Sequence, residues 1–187
     1  MRQGPSKVSA KDAFRTAEAF LEASEVLHTD GKAGNDRLLV PVFAVLAAFQ
    51  LEMYLKCLLL IEENLHREGH DVLKLFQYLS DKTQAELTQA HEAYIADSPD
   101  FLAHLKAKNI SPDLLTLLEH GRNALTDFRY AYQGKAKSIW ALTSLTMSIR
   151  ARIKKARPEW GDILRDLGRD SPLYPRVNQS TSHIQKA

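Results

Sequence analysis

The sequence predicts an all-α protein built as a single up-and-down bundle of five or six helices. Apolar residues recur through most of the chain at the spacing of amphipathic helices, and no segment shows the alternation of a half-buried strand. Glycine and proline, which interrupt helices, number only 8 and 7 in 187 residues. We expect residues 8–157 to form the bundle and residues 158–187 to add a short helix and a loose basic tail.

Most of the predicted helices begin or end at a recognisable signal. Ser9, with Asp12 three residues later, has the pattern of a helix N-cap, and this first helix is expected to end near Thr29. The central helix begins near Arg37 or Pro41, because proline is tolerated in a first turn. Later helices are predicted at Asp71–Leu79, at Thr83–Ala96, after Ser98-Pro99, from Pro112 to Gln133-Gly134, and at Ala136–Arg157.

Composition indicates one globular domain in a reducing compartment. With 44% hydrophobic and 26% charged residues, a chain of this length buries about 70% of its surface on folding. Its single cysteine, Cys57, excludes an intrachain disulfide framework and is expected to be a small buried side chain. The first residues lack the apolar core of a secretory signal, so we expect a cytoplasmic protein.

The longest apolar run extends from Leu38 to Ile61 and is interrupted by Gln50, Glu52 and Lys56. This length would cross a bilayer, but charges in mid-run are costly in lipid. We therefore interpret the run as the buried helix of a protein that is not associated with a membrane. Glu52 and Lys56 are four residues apart, on one helix face, and are predicted to form a buried ion pair.

A sharp turn is predicted after the central helix. Gly69 is suited to the left-handed conformation that ends helices, and Asp71 to the first turn of the helix that follows. His70 lies between them, and this turn would bring it towards Arg122 and Arg129 if it folds over the end of the bundle. A structural role in the turn is the alternative for His70.

Three segments of the chain resemble the HEPN domain family (higher eukaryotes and prokaryotes nucleotide-binding). They are LEMYLKCLLL, GHDVLKLFQYL and EHGRNALTDFRYAY, and the resemblance covers roughly residues 8 to 157. It implies an up-and-down helical bundle, often dimeric, with a connection to RNA or nucleotides. Many members are metal-independent ribonucleases of toxin–antitoxin or defence systems, and others have lost catalysis.

The family's ribonuclease motif is an arginine followed, after four to six residues, by a histidine. Arg122-Asn123 matches its opening, but Asp127, Phe128 and Arg129 occupy the positions where histidine is expected. Attack of a 2′-hydroxyl on phosphate needs a proton acceptor and a cation near the developing charge. An ordinary carboxylate is a weak base and arginine cannot act as one, so the resemblance implies a degenerate site.

Charge is unevenly distributed along the chain. The net charge is +2, whereas the last 38 residues contain nine Lys or Arg against four acidic residues, and the rest carries −3. The run RARIKKAR, from Arg150 to Arg157, would bind RNA phosphates through charge alone. The alternative is a solvated helix end whose cations interact with the helix dipole.

The candidate residues for binding phosphate or nucleic acid come from the motif segment, the turn and the basic run. They are Arg122, Asn123, Asp127, Arg129, Tyr130, His70, Arg150, Arg152, Lys154 and Lys155. An alternative role for Asp127 and Arg129 is to satisfy buried polar contacts, for instance with Glu52 or Lys56.

No metal or cofactor is expected from the sequence. Glu25–His28 and Glu63–His66 have the spacing of di-metal ligands in helical bundles, but antiparallel helices would place them at opposite ends. There is also no glycine-rich phosphate loop and no set of zinc ligands.

The preferred interpretation is a catalytically degenerate binding module for RNA or a nucleotide in a prokaryotic defence, toxin–antitoxin or stress system. We expect a homodimer, and a cognate partner protein is a further expected partner. One alternative is a metal-independent endoribonuclease that uses Arg122, Asp127 and Arg129, with His70. The other is a non-enzymatic scaffold whose partner covers its apolar helices.

Overall fold

A computed structural model describes residues 8–29, 40–123 and 142–161. Within these ranges the protein is all-helical, with seven α-helices and no strand, which confirms the predicted fold class. The helices are α1 (Ala10–Thr29), α2 (Val40–Glu63), α3 (Val72–Gln77), α4 (Asp81–Ala96), α5 (Pro99–Ala107), α6 (Leu114–Gly121) and α7 (Thr143–Ala156). A 3₁₀ turn, Pro158–Trp160, follows α7. The up-and-down order of the bundle remains a prediction.

The central helix α2 is the axis of the packing, with α1, α3 and α7 against it. Most of its side chains between Leu51 and Leu60 are buried, and Tyr54, Leu55 and Leu58 among them lie in the core. Phe14 of α1 packs on Tyr54 with ring centroids 5.9 Å apart, and on Trp160 at 5.7 Å. The packed bundle therefore extends past residue 157 to Trp160, while residues 162–187 lie outside the described residues.

The N-terminal caps follow the sequence signals. Ser9 Oγ accepts the backbone N–H of Asp12 at 3.0 Å and donates to the Asp12 carboxylate at 2.6 Å. Asp71 accepts the backbone N–H of Lys74 at 3.1 Å and so caps α3. Both contacts satisfy N–H groups that a helix leaves unpaired at its start, and both were predicted.

The predicted end of the central helix was wrong by several residues. The helix α2 ends at Glu63, and the next residue, Asn64, adopts a left-handed φ of 54°. Asparagine is among the few residues besides glycine that adopt this conformation readily, so the helix ends before Gly69 is reached. Gly69 has a φ of 96° and makes the later turn that brings His70 back onto α2.

Two further boundaries differ from the prediction. The helix predicted after Ser98-Pro99 is present as Pro99–Ala107, with proline at its first positions, and the described residues contain seven helices where five or six were expected. The helix predicted to continue to Gly134 ends at Gly121, so Arg122 lies after it and not within it. Residues 124–141, including the predicted start of the last helix, lie outside the described residues.

Candidate functional site

The predicted ion pair of the central helix is present and largely buried. Lys56 Nζ lies 2.8 Å from Oε1 of Glu52, one helical turn away on the same face of α2. The side chains of Glu52 and Lys56 are 1% and 12% exposed. A carboxylate removed so far from water needs compensating charge or hydrogen bonds, and Lys56 supplies one partner.

His70 is the second partner of Glu52. The turn at Gly69 places His70 Nδ1 at 3.0 Å and 2.9 Å from the two Glu52 oxygens. Because an ionised carboxylate only accepts hydrogen bonds, Nδ1 is the ring nitrogen that bears a hydrogen here, and it donates hydrogen bonds to Glu52. The His70 side chain is nevertheless 55% exposed, and no described residue bonds its other nitrogen, Nε2. The ring is therefore held at Nδ1 by a buried carboxylate while more than half of the side chain is exposed.

Arg122 lies at the same end of the bundle, joined to the residue after His70. Its Nη2 and Nε lie 2.7 Å and 3.2 Å from an Asp71 carboxylate oxygen, and its carbonyl accepts the N–H of Val72 at 3.2 Å. Arg122 Nη1 donates to the two carboxylate oxygens of Glu119 at 2.8 Å and 3.0 Å. Arg122 is thus bonded to Asp71, the residue after His70, and within the described residues no hydrogen bond or ion pair joins His70 to Arg122 directly.

The electrostatics of this contact favour the ionised form of Asp71. Burial alone would raise the pKa of Asp71, but the hydrogen bonds from Arg122 and from the Lys74 backbone outweigh it and hold the pKa below its ordinary value. Arg122 therefore has most of its five donors engaged and its charge more than balanced by Asp71 and Glu119. Asn123, the next residue, is exposed.

Asp127, Arg129 and Tyr130 lie outside the described residues, and so do any contacts that they make with Glu52 or Lys56.

The cations at the end of α7 point mainly into the fold. Arg150 Nε and Nη2 lie 2.6 Å and 2.8 Å from the two oxygens of Glu18, and Lys154 Nζ lies 3.6 Å from the same carboxylate. Glu18 is 3% exposed and also accepts the hydroxyl of Tyr54. The predicted solvated face is wrong for Arg150, which fastens α7 to α1.

Arg152 makes a similar bridge to another pair of helices. Its guanidinium contacts Glu86 of α4, donates to Thr83 at 2.7 Å and approaches Glu62 of α2 at 3.6 Å. Of the four candidate cations in the run, Lys155 is exposed, whereas the other three are half-buried. Most of this charge already has carboxylate partners, which leaves less of it for phosphate.

Glu18 is a buried acid that the sequence prediction missed. It stands four residues after Phe14 and three before Leu21, so it shares the apolar face of α1, and this spacing was the available signal. Burial by itself raises the pKa of Glu18, but the hydrogen bonds from Arg150 and Tyr54 have a larger and opposite effect. The pKa of Glu18 therefore lies below its ordinary value. The pKa of the Tyr54 hydroxyl is raised, first by burial and then by its bond to Glu18.

No group of three potential metal ligands gathers within the described ranges. The Glu63–His66 pattern does not lie on one helix, because α2 ends at Glu63. Among the described helices, one stretch, Val42–Glu63 of α2, is long and apolar enough to cross a membrane, and 56% of its most apolar part is buried inside the protein.

The fold and site define an all-α protein that presents a fixed, exposed histidine on a buried carboxylate–lysine pair. No protein-family model, curated protein or solved structure matches the chain.

Proposed function

We propose that this protein is a HEPN-like RNA-associated module that holds RNA at the α2–α3 junction without cleaving it. The observation that carries the proposal is the placement of His70, whose side chain is 55% exposed while its Nδ1 is anchored by buried Glu52. A ring fixed in this way loses little conformational freedom when Nε2 bonds a phosphate oxygen, provided that the imidazole is protonated. The HEPN resemblance supports RNA as the ligand.

Arg122 supports binding over cleavage. A ribonuclease of this type needs a cation near the phosphorane as well as a proton acceptor. In the described arrangement Arg122 is paired with Asp71 and Glu119, so its charge is already balanced. His70 can still bond a phosphate oxygen, but no free arginine charge stabilises the transition state. The proposed module therefore binds RNA and does not cleave it.

Binding titrations with a fluorescently labelled single-stranded oligonucleotide test this proposal. We expect His70→Gln to weaken binding about tenfold, the value of one charge-assisted hydrogen bond. His66→Gln is the matched control, because His66 lies on the same connection between α2 and α3 and makes no bond to Glu52. Equal affinity of both variants and the unchanged protein would overturn the proposed role of the α2–α3 junction.

A second candidate function is metal-independent RNA cleavage, and the His70–Glu52 contact favours it. A histidine whose Nδ1–H is held by a carboxylate is the arrangement in which Nε2 accepts a proton from a nucleophile. Cleavage would require Arg122 to exchange Asp71 or Glu119 for the scissile phosphate. In RNA incubated with chelator, the 2′-oxygen would then displace the 5′-oxygen from phosphorus, and the products would be a cyclic 2′,3′-phosphate and a 5′-hydroxyl that takes up the proton removed by Nε2. Both His70→Gln and a 2′-deoxy substrate would stop the reaction.

The proposed setting is cytoplasmic, in a prokaryotic defence, toxin–antitoxin or stress system, with the protein acting as a homodimer or with a cognate partner. Apolar side chains on the N-terminal half of α2, such as exposed Val42, support a protein contact there. Light scattering on the purified protein tests the homodimer. A monomer that captures no RNA would instead favour the scaffold alternative.

A further inference from the structure

An exposed aromatic ring lies at the end of the short helix that begins next to His70. Tyr78 is the first residue after α3, and its backbone N–H bonds the carbonyl of Lys74 at 3.1 Å. Four of the six α3 residues are buried, so the backbone that carries Tyr78 is held against the core. The Tyr78 side chain is nevertheless 44% exposed, and its hydroxyl has no hydrogen-bond partner among the described residues. Tyr78 therefore presents its ring on a fixed support.

A guanidinium lies over this ring. The Cζ atom of Arg67 is 4.5 Å from the centroid of the Tyr78 ring, a cation–π contact between the α2–α3 connection and the end of α3. Arg67 Nη2 is 3.5 Å from Glu63, and no hydrogen bond to another part of the described chain engages the guanidinium. Its Nε is buried, so Nη1 and Nη2 are the groups left for a ligand. Arg67 therefore differs from Arg122 and Arg150, which carboxylates hold by several hydrogen bonds.

We infer that Tyr78 and Arg67 form a stacking platform for one base of single-stranded RNA; this inference rests on the proposed RNA-binding function. Unpaired bases stack on aromatic rings and on guanidinium planes, and this pair offers both in one stack. A ring that its backbone and a guanidinium already hold in place loses little conformational freedom when a base is added. Because every base has a π face, the platform accepts any of them and gives no sequence preference of its own.

The platform and His70 are close enough for one strand to contact both. Arg67 precedes His70 by three residues, so their Cα atoms are at most about 11 Å apart. Tyr78 is separated from His70 by Asp71 and by α3, whose six residues span about 9 Å. A strand of a few nucleotides covers such distances, so one of its phosphates can meet His70 while a nearby base stacks. The strand would thus be held by charge at one point and by stacking, which salt screens little, at the other.

Two comparisons separate stacking from phosphate binding. The first is between a labelled single-stranded RNA and an abasic strand of the same length, which keeps the sugar phosphates and lacks the bases. The second is between Tyr78→Leu, which removes the ring, and Tyr78→Phe, which keeps it, with Tyr94→Leu on α4 as the control because Tyr94 is 41% exposed. Arg67→Gln disrupts the platform from its other member, and the equally exposed Arg15 supplies the control Arg15→Gln. Circular dichroism verifies that each variant folds.

We expect the unchanged protein to bind the RNA about tenfold more tightly than the abasic strand, near the lower end of what one stacked base contributes. Tyr78→Leu should remove this preference and Arg67→Gln should reduce it, while Tyr78→Phe and both controls keep it. His70→Gln should weaken both strands alike.

Equal binding of the two strands by the unchanged protein, or a preference that survives Tyr78→Leu, would overturn the platform and leave phosphate binding at His70 standing. If Tyr78→Leu does not fold, the same comparison on Arg67→Gln decides. Binding of neither strand would overturn the platform together with the RNA proposal.

Discussion

His70 Nδ1 lies 2.9 Å from Oε2 of Glu52, although the two residues are 18 positions apart and Glu52 is 1% exposed. The same carboxylate takes Lys56 Nζ at 2.8 Å. One buried acid thus holds a lysine of its own helix and a histidine from the following turn. This contact holds the α2–α3 connection against the core and orients His70. Both the stability of the fold and the proposed RNA binding should therefore depend on Glu52.

Replacement of Glu52 by alanine should lower the free energy of unfolding by about 3–5 kcal/mol. The reason is that Lys56, itself largely buried, would lose its carboxylate partner. Urea unfolding followed by circular dichroism measures the change. Glu63→Ala is the matched control on the same helix, because the Glu63–Arg67 pair is exposed on both sides and should contribute within about 0.5 kcal/mol. An equal effect of the two substitutions would contradict the buried placement of Glu52.

Acid should destabilise the protein in part through Glu18. Its pKa is lowered in the folded state, so its stabilising effect is fully present above its ordinary value of 4.5 and is lost as the pH falls through the lower folded value. Stability measured by urea unfolding should therefore decline as the medium is acidified below about pH 4.5. Glu18→Gln should flatten this decline, whereas Glu22→Gln, an exposed change on the same helix, should keep it. An acid profile unaltered by Glu18→Gln would show that Arg150 does not act on this carboxylate.

Cys57 should resist thiol reagents until the protein unfolds. It is fully buried, and burial raises the pKa of its thiol to about 12, so almost no thiolate exists at neutral pH. We expect reaction with a chromogenic disulfide to follow the unfolding transition in urea. Fast labelling in native buffer would mean that α2 opens locally at this position.

Loss of Arg150 should affect stability more than RNA affinity. Arg150→Ala removes two of the hydrogen bonds to buried Glu18 and should cost about 3 kcal/mol. Lys155→Ala removes an exposed charge and should leave stability within about 0.5 kcal/mol.

Salt dependence of oligonucleotide binding should be shallow in the unchanged protein, since counterion release scales with the cations that are available to phosphate.

Two interpretations of the basic run predict different results when all four cations, Arg150, Arg152, Lys154 and Lys155, are replaced. The first is that the run binds RNA phosphates through its charge. That interpretation predicts weaker RNA binding and a flatter salt dependence in a protein that is still folded. The ion pairs of Arg150 and Arg152 predict instead that the variant is less stable and unfolds at a lower urea concentration, whether or not its RNA affinity changes. Measuring both properties on the same sample decides between them.

Local features of the fold were predictable from the sequence because they depend on residues close along the chain. Helical periodicity identified the all-α class, and the caps at Ser9 and Asp71 followed from side chains placed beside unpaired N–H groups. The Glu52–Lys56 pair was predictable for the same reason, since four residues make one helical turn. The end of α2 was misplaced because Asn64 and Gly69 both suit a left-handed residue, and the spacing of apolar residues does not choose between them.

Only the tertiary structure decided which distant charges meet. Glu18 and Arg150 are 132 residues apart, and Asp71 and Arg122 are 51 apart, so no periodicity links them. Their pairing depends on how α1, α3, α6 and α7 pack, and that packing is set by the burial of apolar faces along the whole chain. The sequence by itself therefore determined the helices, the buried acid–lysine pair and the residues worth considering for phosphate. Packing determined that Arg122 and Arg150 are held by carboxylates while the His70 side chain stays more than half exposed, because an ion pair forms only where the fold brings its partners within a few ångströms.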